Sequence, residues 1–135
     1  MTAHAGERRG AVTPEAYREA VLAVVRAIPP GHVMAYGAIA RYLAELSGRA
    51  SPRLVGQIMA RTDAPVPWHR VVREGGLPAR GHEAHALRLL LDDGTPLRGV
   101  RVDMAAAAWR PERPATDLLR AVGTSPATEL DAPSR

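Results

Sequence analysis

The side chains best suited to chemistry in this chain lie in one short segment, Pro67-Trp68-His69-Arg70. The imidazole of His69 could exchange a proton near neutral pH. Proline at 65 and again at 67 forbids a helix, so we predict an ordered loop. The sequence contains no cysteine, which excludes a thiol nucleophile, zinc–thiolate sites and disulfides. An indole is neither a nucleophile nor a proton shuttle, so Trp68 fits the wall of a binding pocket better than a catalytic centre.

A second candidate for chemistry is His82-Glu83-Ala84-His85, where two histidines flank an acid. The metallopeptidase pattern needs a wider spacing between its histidines and a third ligand. We therefore interpret His82 and His85 as solvated residues in the first turn of a helix, and we expect no metal and no cofactor. The patterns GxGxxG, P-loop and GxSxG are also missing from the sequence.

The basic residues are unevenly distributed. All 18 of them are arginine, against 14 acids, which gives a formal net charge of +4. The whole excess lies between residues 49 and 80, whose charged side chains are Arg49, Arg53, Arg61, Arg70, Arg73, Arg80, Asp63 and Glu74. A basic cluster of this kind indicates a polyanionic partner.

Helix starts are marked twice by a capping hydroxyl followed by proline, at Thr13-Pro14 and at Ser51-Pro52. The first helix is predicted to run as far as Pro29. A second helical pattern begins near Gly37 and closes at Gly48. The third helix carries a predicted buried stripe of Leu54, Val55, Ile58 and Met59. The second and third helices, joined by a tight turn, form a candidate helix-turn-helix.

Short extended segments are predicted at 32–35, at 71–72 and around 100–102, with a fourth helix from about His82 to Gly94 that carries Leu87, Leu90 and Leu91. The predicted class is mainly α: a small single domain with a helix-turn-helix (winged-helix-like) DNA-binding core and short extended segments.

The 135 residues, of which 46% are hydrophobic, suit one compact domain. We predict that the domain spans 13–111, between flexible tails at 1–12 and 112–135 that are rich in small and polar residues. The chain shows neither an apolar stretch long enough to span a bilayer nor a signal-peptide pattern. We expect a cytoplasmic monomer without membrane contact, associated with the nucleoid when it binds DNA.

Four motifs follow one another in the chain: IPPGHVMAYGAIARYL, SPRLVGQIM, PVPWHRVV and GGL. In their order and spacing the chain resembles the DNA-binding domain of the O6-alkylguanine-DNA alkyltransferases, over about residues 13–111. Active members carry Pro-Cys-His-Arg where this chain has Pro67-Trp68-His69-Arg70, so the alkyl acceptor is missing. Tryptophan there, together with Trp109-Arg110-Pro111, is similar to the alkyltransferase-like proteins, which bind alkylated guanines and pass them to nucleotide excision repair.

The resemblance implies a protein that is not an enzyme and whose partners are double-stranded DNA containing O6-alkylguanine and nucleotide excision repair proteins. Arg53 would fill the stack that a flipped base leaves, and Tyr36 would help to rotate the nucleotide. The implied DNA-binding residues are Tyr36, Gly37, Ser51, Arg53, Gly56, Gln57 and Arg61. The implied lesion pocket comprises Tyr36, Val66, Pro67, Trp68, His69, Arg70 and Arg80. Without a thiol to activate, His69 and Asp93 would be structural.

Two alternatives stay open at the level of sequence. A helix-turn-helix regulator would read bases in the major groove, but the third helix leaves only Arg53, Gln57 and Arg61 for its exposed face. An enzyme acting on damaged DNA, such as a glycosylase, would need a carboxylate beside Trp68, and no motif marks one.

Overall fold

The computed structural model describes residues 12–122, so most of the predicted N-terminal tail and all of 123–135 lie outside the described residues. The elements in chain order are α1 (Pro14–Ala27), β1 (Met34–Ala35), α2 (Tyr36–Tyr42), α3 (Ala44–Ser47), α4 (Pro52–Arg61), a 3-10 turn (Trp68–Arg70), β2 (Val71–Val72), α5 (Glu83–Asp92), β3 (Leu97–Arg98), β4 (Arg101–Val102), α6 (Met104–Ala107) and α7 (Ala115–Val122). The predicted mainly helical class is confirmed.

Both predicted helix starts are present. The Thr13 hydroxyl accepts a hydrogen bond from the Ala16 amide at 3.0 Å, and the Ser51 hydroxyl accepts one from the Leu54 amide at 3.2 Å. Each bond satisfies an amide that has no partner inside the first helical turn. The capping residues therefore fix where α1 and α4 begin.

The helix-turn-helix is formed by α2 and α4, which pack on each other, and α4 also packs on α1. The side chains at the centre of this contact, Ile39, Leu43 and Val55, are fully buried. Because α1 buries every residue from Ala20 to Val25, it is the central element of the core. The DNA-binding motif predicted from the sequence thus rests on one buried helix.

A two-stranded parallel sheet connects the first half of the domain to the second. Met34 pairs with Val71, and Ala35 pairs with Val72. Tyr36 follows β1 directly, and the Trp68–Arg70 turn precedes β2 directly. The short sheet therefore holds the start of α2 next to the segment that carries Trp68.

The hairpin of β3 and β4 packs close to the loop after β2. The Val102 amide donates a hydrogen bond to the Gly76 carbonyl at 2.9 Å. Gly76 has φ +97°, and a Cβ built there would lie 2.5 Å from the Val102 carbonyl oxygen. Only glycine fits this approach, because any side chain would clash with backbone and would also be strained at that φ.

Two predicted details of the helices are wrong. The second predicted helix is interrupted at Leu43, which is fully buried and ends α2 before the single turn of α3. Leu54 was placed in a buried stripe but is 40% exposed. A helix buries only the side chains that face a neighbour, and Leu54 lines an open groove between α4 and the start of α1.

The predicted end of the domain at 111 is also wrong. Residues 115–122 form α7, which packs against α1 and α3, and Ala115 and Leu118 are buried in the main core. The hydroxyl of Tyr42 donates a hydrogen bond to the Arg113 carbonyl at 2.8 Å and ties the intervening segment to α2. The proline-rich composition hid this helix, because its stability comes from packing rather than from local sequence.

Leu118→Ala tests whether α7 belongs to the folded domain. Removing a buried leucine side chain leaves a cavity, and we expect it to lower the free energy of unfolding by roughly 2–3 kcal/mol. Leu91→Ala is the matched control at an exposed site and should change it by less than about 0.5 kcal/mol. Urea denaturation of both variants measures the difference, and equal effects would show that α7 contributes nothing to the domain.

Candidate functional site

The Trp68–Arg70 turn is held by a network of charged side chains around Asp93, at the end of α5. Arg70 donates two hydrogen bonds to the carboxylate, at 2.8 and 3.1 Å, and a third to the Ile28 carbonyl at 3.0 Å. The His69 Nε2 lies 2.9 Å from the same carboxylate. The network therefore connects the turn to the ends of α1 and α5.

The protonation of this network follows from its hydrogen bonds and its burial. The hydrogen bonds from Arg70 hold the pKa of Asp93 below its usual value. Burial lowers the pKa of His69, although its hydrogen bond to Asp93 acts in the opposite direction. At neutral pH the network thus contains one carboxylate, one guanidinium and a neutral imidazole.

Because Asp93 holds these two side chains, His69 and Arg70 do not line the cavity beside Trp68, and neither does Pro67. The structure does not bring these three residues to the cavity, and their assignment to a lesion pocket stays a prediction. His69 and Arg70 instead hold the turn through Asp93. Trp68, which lies between Pro67 and His69 in the chain, is half-buried and forms part of the cavity wall.

The cavity has a volume of about 660 Å³, which is within the range of small-molecule sites. It is lined by Tyr36, Gly56, Met59, Ala60, Thr62, Ala64, Val66, Trp68, Arg73, Ala79, Arg80, His82 and His85. Four of the predicted pocket residues are therefore brought together: Tyr36, Val66, Trp68 and Arg80. None of the described lining residues is a carboxylate.

The cavity residues that were not predicted from the sequence include His82 and His85. The rings of His82 and His85 lie edge-on to Trp68, with centroids 5.7 and 5.3 Å from the indole. Sequence reasoning interpreted both as solvated residues of a helical turn. The spacing of three residues, which puts both on one side of a helix, was the only available signal, and it cannot show which partner that side meets.

Tyr36 lies at the boundary between the cavity and α2, as the first residue of the helix. Burial raises the pKa of its hydroxyl, although the nearby Arg73 guanidinium acts in the opposite direction. The phenol is therefore protonated at neutral pH and can donate a hydrogen bond to an acceptor such as a phosphate oxygen. Gly37, the next residue, is buried against the Glu74 and Arg41 side chains.

The exposed face of α4 adjoins the cavity. Arg53, Gln57 and Ala60 follow one another at the spacing of a helix face and are all exposed. Ala60 and Gly56 also line the cavity, so the two surfaces are continuous. Within residues 12–122 the exposed Arg53 guanidinium has no ion-pair or hydrogen-bond partner, so it is available to bind a ligand at this face of the helix. Arg61 is exposed at the end of α4, while Ser51 serves as its cap.

Other kinds of site are not visible in the described part of the chain. Among residues 12–122 there is no cluster of three or more ligating side chains that could hold a metal ion. The helices there are also too short or too polar to cross a bilayer.

Comparisons with known proteins show the family of the chain. Residues 16–94 match the family model described as 6-O-methylguanine DNA methyltransferase, DNA binding domain. The DNA base-flipping protein of Escherichia coli (strain K12) is 33% identical over 100 residues, which cover 70% of this chain and 75% of that protein, and the protein of the same name from Shigella flexneri matches equally. The crystal structure of S. pombe Atl1 in complex with damaged DNA containing O6-carboxymethylguanine aligns with a TM-score of 0.61 at 27% identity, covering 72% of this chain and 97% of Atl1.

Asp93→Asn tests the network behind Trp68. The amide leaves the mostly buried Arg70 guanidinium without its counter-charge, so we expect the free energy of unfolding at pH 7 to fall by roughly 2–4 kcal/mol. The neighbouring exposed residue provides a matched control, since Asp92→Asn should cost less than about 0.5 kcal/mol.

The difference between wild type and Asp93→Asn should also depend on pH. A carboxylate whose folded pKa is depressed stabilises the protein above its unfolded pKa, and this contribution is lost as the pH falls below about 4. Urea titrations at pH 7 and at about pH 3, which lies inside this window, measure the gap between the two proteins. A gap that stays constant over this range would show that the ionised carboxylate does not stabilise the turn.

Proposed function

The chain belongs to the alkyltransferase-like branch of the 6-O-methylguanine DNA methyltransferase family, and from this premise we propose that it binds O6-alkylguanine in duplex DNA by turning the damaged base into the cavity beside Trp68. The observation that carries the proposal is the position of this cavity, which opens beside the exposed face of the helix-turn-helix. A base that is read in a pocket must leave the stack, because the reacting edge is otherwise covered by its neighbours.

The surface around the cavity supports this mode of binding. Gly56 and Ala60 have no side chain or only a methyl group on the cavity side of α4, which lets a sugar-phosphate backbone approach the helix closely. Arg53 lies in the first turn of the same helix, where its guanidinium can occupy the gap left by an extruded base. Tyr36, with its protonated hydroxyl, can press on the rotated nucleotide and donate a hydrogen bond to its phosphate.

We infer that the bound lesion is left chemically unchanged. The chain contains no cysteine, and the residue in the acceptor position is an indole, which does not take up an alkyl group. His69, the residue that follows the acceptor position, is hydrogen-bonded to Asp93 behind the turn. A separate system must then remove the lesion, and by its resemblance to the alkyltransferase-like proteins we propose that the chain presents it to nucleotide excision repair.

The two other candidate functions have less support. A glycosylase needs a carboxylate at the base, but none of the described cavity residues is one, and Asp93 is committed to Arg70 and His69. A regulator needs several base-reading side chains on α4. The exposed polar side chains that follow Pro52 on this helix are Arg53, Gln57 and Arg61.

A binding titration on matched duplexes tests the proposal. We expect the protein to prefer O6-methylguanine over guanine at one position, and to protect that lesion from an active alkyltransferase in proportion to the sites it occupies. Label from a radioactive O6-methyl group should remain on the DNA, because the chain offers no activated nucleophile. Trp68→Ala, which loosens the cavity wall, should protect less well.

Each measurement in this experiment can contradict a different part of the proposal. Equal affinity for the two duplexes would contradict lesion recognition. Radioactive label on the protein would contradict the inference that the lesion is left unchanged. If the active alkyltransferase repairs the lesion at its full rate when this protein saturates the sites, the base stays in the stack.

Arg53→Ala tests the assignment of the arginine that replaces the base. Without its side chain the vacated stack is unsupported, so we expect binding to the lesion duplex to weaken by roughly 1–3 kcal/mol. The fluorescence of 2-aminopurine beside the lesion should report less flipping. Arg26→Ala, an exposed arginine on α1 that makes the same change in net charge, is the control. If both variants lose equal affinity with unchanged fluorescence, Arg53 contributes charge alone.

A further inference from the structure

Beyond its apolar walls, the cavity contains an unusual concentration of imidazoles. His82 precedes α5 and His85 lies in its first turn, so both reach the indole of Trp68 from one side. Both also line the cavity. Neither histidine has a role predicted from the sequence, and neither forms a hydrogen bond in the network behind the turn.

The remaining charges on the cavity wall are positive. Arg73 and Arg80 line the cavity together with the two histidines. The acid nearest in sequence, Glu83, faces Arg73 at 3.4 Å and accepts a hydrogen bond from the Gly81 amide. The wall that His82 and His85 form with Trp68 therefore presents hydrogen-bond donors and positive charge, without a carboxylate among the described lining residues.

We propose that His82 and His85 form a subsite for the far end of the O6 substituent, and that they select adducts ending in an anionic group, such as a carboxylate, over neutral adducts of the same size. This inference rests on the proposed function, because it assumes that the damaged base enters this cavity. A volume of about 660 Å³ leaves room for a substituent beside a base. A substituent lying along the indole would meet both imidazoles, since their centroids are within 6 Å of it.

The selection should strengthen as the pH falls. Histidine gains its positive charge between about pH 8 and pH 5, whereas a carboxylate remains ionised above about pH 4.5. Attraction between the two is therefore greatest in the mildly acidic range. The other ionisable side chains around the imidazoles are Arg73, Arg80, Glu83, Tyr36 and His69 with its partners Arg70 and Asp93. The arginines keep their charge throughout this range, so their preference for the anionic adduct does not vary with pH.

The experiment compares two isosteric adducts, O6-carboxymethylguanine and O6-carbamoylmethylguanine, in otherwise identical duplexes. The measured quantity is the ratio of their affinities, in which the general attraction of protonated histidines for DNA phosphates cancels. For the wild-type protein we expect the ratio in favour of the carboxylate to rise about three- to tenfold between about pH 8 and pH 5.5, as for partly exposed ion pairs. An undamaged duplex is titrated alongside.

Three variants test whether the pH dependence of this ratio comes from His82 and His85. In a protein carrying His82→Gln and His85→Gln, we expect the ratio to become independent of pH. With His82→Gln and His85→Arg, a permanent charge should give a preference for the carboxylate that is the same at both pH values. His32→Gln, which removes a histidine outside the cavity, should keep the pH dependence of the wild type, and near-ultraviolet circular dichroism checks that each fold is intact.

Each outcome has one meaning. If the damaged duplexes bind no better than the undamaged one, the proposed function itself fails. If they bind better but the ratio does not change between the two pH values, the histidines do not select charge, and the subsite is overturned. If the pH dependence survives in the double glutamine variant, the selecting group is not His82 or His85.

Discussion

The fold around the candidate site depends on one mostly buried charge pair, Arg70 with Asp93. The guanidinium uses two of its donors on the carboxylate and a third on the carbonyl of Ile28. One side chain thereby fixes the distance between the end of α1, the end of α5 and the turn that carries Trp68. A buried pair of this kind contributes little net stability, since desolvation offsets most of its attraction. Its value here is geometric, because a planar guanidinium bonds a carboxylate in one orientation.

A second constraint acts on the other side of Trp68. The segment from Gly75 to the start of α5 returns towards the indole and delivers Arg80, His82 and His85 to the cavity. It can do so because Gly76 lets the backbone approach β4, where a Cβ would lie within 2.5 Å of the Val102 carbonyl oxygen. The cavity is thus built from loops whose positions are set by one ion pair and one close backbone contact. Sites on loops are accurate only when neighbouring elements fix them in this way.

The features predicted well from the sequence are those that local chemistry determines. Thr13 and Ser51 mark the starts of α1 and α4 because a capping hydroxyl acts within three residues. Trp68 was placed on a pocket wall because of its type and flanking sequence. The features that failed depend on contacts distant in sequence. Nothing near Leu118 shows that it packs against α1, and nothing in the His82 segment shows that it meets an indole across fourteen residues. His69 and Arg70 were assigned to the cavity as neighbours of Trp68, although Asp93, more than twenty residues away, turns them out of it.

A wall of aromatic rings fits the energetics of the proposed mode of binding, in which a base is flipped and held without a reaction. Extruding a base costs a few kcal/mol of stacking and pairing. A protein that forms a covalent bond to the lesion can offset that cost irreversibly, whereas one that only binds must offset it through contacts alone. The indole of Trp68 and the edge-on imidazoles of His82 and His85 give the cavity a large surface that a base can contact. Rings with few rotatable bonds also lose little entropy when they close on a ligand. Under the proposed function, the contact area of these rings therefore takes the place of a covalent bond in stabilising the extruded base.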